Sequence, residues 1–177
     1  MARTTLLLLL LAVSVPATAR AEVGFRLGSR AGVELHDDAD LSFGADMRLS
    51  FALSPLTINP AFDYYVDEDK TLFQVAVNAL YHLPAAAPHV DGYGGVGVGV
   101  TAFSFHQGVQ TNDDHGSRLG LNLLAGVCFD LPVVAPYAQV VGSVGELDLF
   151  TISAGLLVEL GGGERWDSCG RRTAVQP

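Results

Sequence analysis

The chain has 177 residues, 49% of them hydrophobic, with 10 basic and 19 acidic side chains and a formal net charge of −9. The acidic balance argues against nucleic acid as a partner, because phosphate backbones bind basic surfaces. The length suits one domain. Past the N-terminal segment no uninterrupted apolar run reaches the roughly 20 residues of a membrane helix, so a bilayer would have to be crossed by strands.

The first element in chain order is a targeting segment. Met1-Ala2-Arg3-Thr4-Thr5 carries one positive charge, Leu6 to Val15 is a short apolar run, and Pro16-Ala17-Thr18-Ala19-Arg20-Ala21 places small residues at 19 and 21. That order is the three-part pattern of a secretory signal peptide. Residues 1–21 are assigned to it, with cleavage expected after Ala21 and the site after Ala19 as the alternative. No cysteine sits at the cleavage site, so a lipoprotein anchor is not expected.

Residues 22–160 carry a period of two. In 23–35, Val23, Phe25, Leu27, Ser29, Ala31, Val33 and Leu35 alternate with Gly24, Arg26, Gly28, Arg30, Gly32 and Glu34. Successive side chains of a strand point to opposite faces, so one face is apolar and the other small or charged. The pattern returns in 41–51, where Leu41, Phe43, Ala45, Met47, Leu49 and Phe51 oppose Ser42, Gly44, Asp46, Arg48 and Ser50. It returns again in 56–66, 71–83, 118–131 and 148–160. The segments 93–107 and 136–145 read less cleanly. In the former Val96, Val98 and Val100 share one parity and Gly95, Gly97 and Gly99 the other, while Phe103 and Phe105 fall on the parity of those glycines. A bulge near Thr101 would reconcile them, as would aromatics filling one end of the interior. The glycine run 92–99 lacks the lysine and following helix of a phosphate loop.

The connections alternate in chemistry. His36-Asp37-Asp38-Ala39-Asp40, Asp67-Glu68-Asp69-Lys70, Gly108 to Ser117 and Gly145-Glu146-Leu147-Asp148 are acidic or polar. Those between carry proline: Ser54-Pro55, Pro84 to Pro88, and Leu131 to Pro136. In an up-and-down barrel odd connections share one rim and even ones the other. The expected fold is all-β: an eight-stranded antiparallel up-and-down transmembrane β-barrel with acidic outer loops and short proline-containing periplasmic turns.

Gly161-Gly162-Gly163 breaks the pattern, and the rest of 161–177 has no strand period. It is read as a flexible periplasmic tail. The competing reading joins Cys169 to Cys128, the only other cysteine, and brings Trp166 under the barrel mouth.

Signal peptide, strand pattern and charged alternate residues together resemble the small outer-membrane barrels of the OmpA/OmpX type over roughly residues 23–160. Such proteins usually end their last strand on an aromatic residue; here Leu160 holds that place and the chain continues. The resemblance implies an outer-membrane location, outer-membrane lipid as the surrounding partner, and a monomer.

The polar residues on the charged parity form the candidate site: Arg26, Arg30, Glu34, Asp46, Arg48, Asp63, Gln74, Asn78, Asn122, Asp130 and Glu159. Charges in hydrocarbon cost several kcal/mol unless paired or hydrated. An eight-stranded barrel is just wide enough for side chains to fill. The expectation is therefore a polar network filling the lumen. The many glycines on this parity leave room for the alternative, a narrow channel or small-ligand conduit. A third reading is a secreted soluble barrel of lipocalin type with the apolar face inside; the sequence does not decide which face points inward.

No enzyme is expected. Ser104 and His106 share a parity but form no hydrolase motif. His36 and His115 adjoin aspartates, yet no EF-hand spacing is present, so no metal or cofactor is assigned. The five tyrosines, 64, 65, 81, 93 and 137, sit near strand ends, where an aromatic girdle belongs and where core packing serves nearly as well. The expected role is structural or surface-interacting, with an extracellular ligand held by the acidic loops.

Overall fold

The computed structural model describes residues 23–35, 40–51, 54–66, 70–83, 89–105, 115–131, 133–146 and 148–160. The signal-peptide assignment, the 161–177 tail, Cys169, His36, His106 and most of the acidic connections lie outside the described residues.

The described residues form β1 (Val23–Glu34), β2 (Asp40–Phe51), β3 (Leu56–Val66), β4 (Lys70–His82), β5 (Val90–Phe105), β6 (His115–Phe129), β7 (Val134–Gly145) and β8 (Leu149–Glu159). Each strand pairs antiparallel with the next, and β1 pairs antiparallel with β8, so the sheet closes into a barrel. Closure leaves no unpaired edge.

The alternation read from the sequence decides the two faces. Phe43, Val75, Val98, Leu121 and Ile152 are about half exposed on the outside. Arg26, Arg48, Asp46, Asn59, Asn78 and Asn122 are buried inside. The polar face points inward, which removes the lipocalin-type arrangement with its apolar interior. A one-residue slip of any strand would reverse its faces, so the charges pin the register as firmly as the apolar residues do.

Four expectations need correction. The bulge near Thr101 is absent: Thr101 faces Gln74 and Arg118, and Ala102 faces Phe73 and Ser117, one to one. Second, β5 starts at Val90 rather than 93, because Asp91 and Gly92 continue the strand and Gly92 O accepts from Leu83 N at 2.9 Å. Strand β7 likewise starts at Val134, before Pro136; its ladder with β6 begins only at Tyr137, so Pro136 interrupts no bond on that side. Third, of the two readings left open for the tyrosines, the girdle holds only for Tyr64 and Tyr81, which face outward, and core packing holds for Tyr65, Tyr93 and Tyr137, which are buried in the interior. Fourth, the inward glycines do not leave room. A Cβ at Gly155 would stand 2.7 Å from the Tyr137 ring, and one at Gly44 would meet Asp63.

Candidate functional site in the barrel interior

Arg30 is the centre of an ion cluster. Its Nε donates to Asp63 Oδ1 at 2.8 Å, its Nη2 donates to Asp63 Oδ2, and its Nη1 reaches Asp46 Oδ2 at 3.4 Å. The fork geometry of guanidinium matches a carboxylate, which suits arginine to this place. Tyr137 OH also donates to Asp46. Arg48 lies 4.0 Å from Asp46 through Nε. Its guanidinium carbon sits 4.6 Å from the Tyr93 ring centroid and 4.7 Å from that of Tyr137. Two aromatic faces thus compensate a cation that is wholly removed from solvent. Arg48 Nη2 donates to Tyr93 OH at 3.0 Å, and Tyr93 OH donates to Gln139 Oε1 at 3.1 Å.

Beside this cluster runs a chain of amides. Pro60 lacks a backbone donor, and the β2–β3 ladder skips the positions facing it. Met47 O accepts instead from Asn59 Nδ2 at 2.9 Å. Asn78 Nδ2 donates to Asn59 Oδ1 at 3.3 Å, and Asn122 Nδ2 donates to Asn78 Oδ1 at 3.1 Å. Gln74 Nε2 donates to Thr101 Oγ1 at 3.1 Å.

Toward the rim that carries the proline connections lies a second polar chain. Ser50 and Thr57 hydroxyls are 3.0 Å apart, Thr57 Oγ1 is 3.1 Å from His82 Nε2, and His82 Nδ1 is 3.6 Å from Asp91 Oδ2. The order hydroxyl, imidazole, carboxylate is that of an activated nucleophile. Thr57 is only 1% exposed, however, so a substrate carbonyl has no approach to its oxygen. Next to this chain, Leu80, Tyr93, Leu124, Cys128, Ala135, Tyr137 and Leu157 form an apolar cluster inside the barrel. Cys128 is disulfide-bonded.

Of the eleven residues read as the inward polar set, Arg26, Arg30, Glu34, Asp46, Arg48, Asp63, Gln74, Asn78 and Asn122 are buried. Asp130 and Glu159 are half-buried at the proline-bearing rim. The structure brings Arg30, Arg48, Asp46 and Asp63 into one cluster, and Asn78 and Asn122 into the amide chain. Glu34 is apart, accepting from Phe150 N at 3.3 Å. Arg26 stands between Arg48 on β2 and Glu159 on β8 in the register. Sequence reasoning missed Ser50, Thr57, Asn59, Asp91, Tyr93, Tyr137 and Gln139 as members of the interior network. Their parity was available, but their partners lie on other strands. Among the described residues no group of three or more His, Cys, Asp or Glu side chains is placed to hold a metal ion.

No protein-family pattern matches the sequence, and no curated protein matches it significantly. Solved structures do. Neisserial surface protein A superposes with a TM-score of 0.59 at 18% identity, covering 78% of this chain and 97% of that one. The chain has the fold of the small eight-stranded outer-membrane barrels. The N-terminal β-barrel domain of Pseudomonas aeruginosa OprF gives 0.56 at 14% identity over 76% of this chain and 97% of that one. Ail, the attachment invasion locus protein of Yersinia pestis, gives 0.54 at 18% identity over 80% and 98%. At these identities the likeness is one of architecture; none of the interior residues is carried over from it.

Proposed function

We propose that the protein is a bacterial outer-membrane barrel, exported by a cleaved signal peptide, with a structural or surface-interaction role. The observation that carries this reading is the exterior. Large apolar side chains stand exposed on every strand, while guanidinium, carboxylate and amide groups are buried inside. In water such a belt would be an aggregation surface. In a bilayer it meets a matching solvent, and the strands are long enough to cross. The barrel likeness to the three solved structures supports the same reading.

On this reading the acidic connections face the outside and the proline connections the periplasm, following the usual placement of longer loops and short turns. An acidic rim suits a cationic partner group. A transport role is opposed by the packing: the mid-lumen cavity beside Arg30 and Asp63 measures about 10 Å³, the space of one water. The burial of Thr57 opposes a hydrolase.

The chain has a single lysine, Lys70, at the start of β4 on the acidic rim. A membrane-impermeant amine reagent applied to intact cells should label Lys70, as mapped by peptide mass spectrometry. Labelling of Lys70 only after lysis would overturn the proposed orientation. Planar-bilayer recordings should show no stable conductance; frequent long openings would restore the conduit reading.

A further inference from the structure

We infer that the lumen binds one ordered water molecule, donating to Asn122 Oδ1 and Ser153 Oγ. Met47 O is a backbone carbonyl and can only accept. Asn59 must therefore present its NH2 group to it, which turns Asn59 Oδ1 toward Asn78. Asn78 must then donate, which turns its oxygen toward Asn122. Asn122 must donate in its turn. Each amide orientation follows from the one before, so the whole chain is directed and no member can flip alone. Its free end is an acceptor, Asn122 Oδ1, which has no protein donor although the residue is 1% exposed.

Asn122 lines the mid-lumen cavity of about 10 Å³, and so does Ser153, whose hydroxyl is also without a partner at 4% exposure. A buried acceptor left unmatched forfeits the hydrogen bond it made to water in the unfolded chain. A cavity of this size holds about one water, and polar walls hydrate where apolar walls stay dry. Hydrogen bonds in a directed chain polarise one another, so the terminal oxygen is a better acceptor than a lone amide. A metal cation would also seek that oxygen, but the Arg30 guanidinium lines the same cavity and repels it. A neutral donor is the species that fits. The water extends the polar chain from Met47 on β2, through Asn59, Asn78 and Asn122, to Ser153 on β8, so that β4 is tied to β6 and β6 to β8, pairs of strands that share no ladder.

The full chain folded in detergent, with no added ligand, provides the test. In a crystal structure that resolves ordered water, one peak should lie within about 2.7–3.2 Å of both Asn122 Oδ1 and Ser153 Oγ. In solution, the Asn122 side-chain NH2 should show a nuclear Overhauser cross-peak to a long-lived water. Ser153→Ala should weaken that cross-peak, and Ser153→Thr should restore it. A dry cavity, a peak with the coordination of a metal ion, or an Asn122 oxygen bonded to a protein donor would overturn the inference. An unweakened cross-peak in Ser153→Ala would overturn the role of Ser153. The readout does not depend on where in the cell the protein lies.

Discussion

Tyr93 packs directly over Gly126, its cross-strand partner, so closely that a Cβ at 126 would stand 2.5 Å from the phenol ring and its oxygen. The space a missing side chain leaves is taken by a neighbour's ring, and the ring in turn meets Arg48. Gly126→Ala should therefore push Tyr93 away from Arg48 and destabilise the barrel by about 1–3 kcal/mol, the usual cost of overpacking. Gly94→Ala, whose Cβ would meet only Leu124 O at 3.9 Å, should stay within about 0.5 kcal/mol of wild type. Denaturant titration in lipid vesicles compares the two; equal effects would contradict the packing account.

Arg30→Met removes both bonds to Asp63 and leaves that carboxylate buried without its counter-charge. Breaking one side of a buried pair costs about 3–5 kcal/mol, whereas replacing both sides with apolar groups is often close to neutral. Arg30→Met with Asp63→Leu should thus recover much of the loss. A double-mutant cycle measures the coupling, and simple additivity of the two losses would refute the pairing.

The exterior makes a depth-dependent prediction. Val75 lies midway along β4 and Leu41 near the acidic end of β2, both about half exposed. In a bilayer, Val75→Arg should cost about 2–4 kcal/mol and Leu41→Arg about 0–1 kcal/mol. The same titrations give both values. Asn78→Ala is no neutral control for these, because it would leave Asn59 Oδ1 and the Asn122 donor unmatched in the interior.

Parity was the legible part of this chain. A period of two needs only neighbouring residues, so Arg30, Asp46, Asp63 and Asn122 could all be put on one face from sequence alone. Their partners could not. Thr57 bonds His82 across 25 residues and Tyr137 bonds Asp46 across 91, separations set by the barrel register rather than by local pattern. The interior tyrosines were hidden for a related reason. Nearness to a strand end suggested a girdle, yet Tyr93 shares the parity of Asp91 and Tyr137 that of Gln139. The glycines misled similarly: Gly126 and Gly155 read as empty space until the register set Tyr93 and Tyr137 opposite them. At Thr101 the change of pattern suggested a bulge, but the register runs on one to one, so Phe103 keeps the parity of Thr101 and stands opposite Leu72 in the ladder.

The claim that everything rests on is that the apolar exterior of the barrel is matched to lipid. Folding of the urea-unfolded chain, without residues 1–21, into lipid vesicles tests it most directly, read by a shift in gel migration between unheated and boiled samples. The account predicts a protease-resistant, vesicle-bound species whose migration changes on boiling, and aggregation when vesicles are left out. A soluble, monomeric, folded species in lipid-free buffer that ignores added vesicles would contradict it.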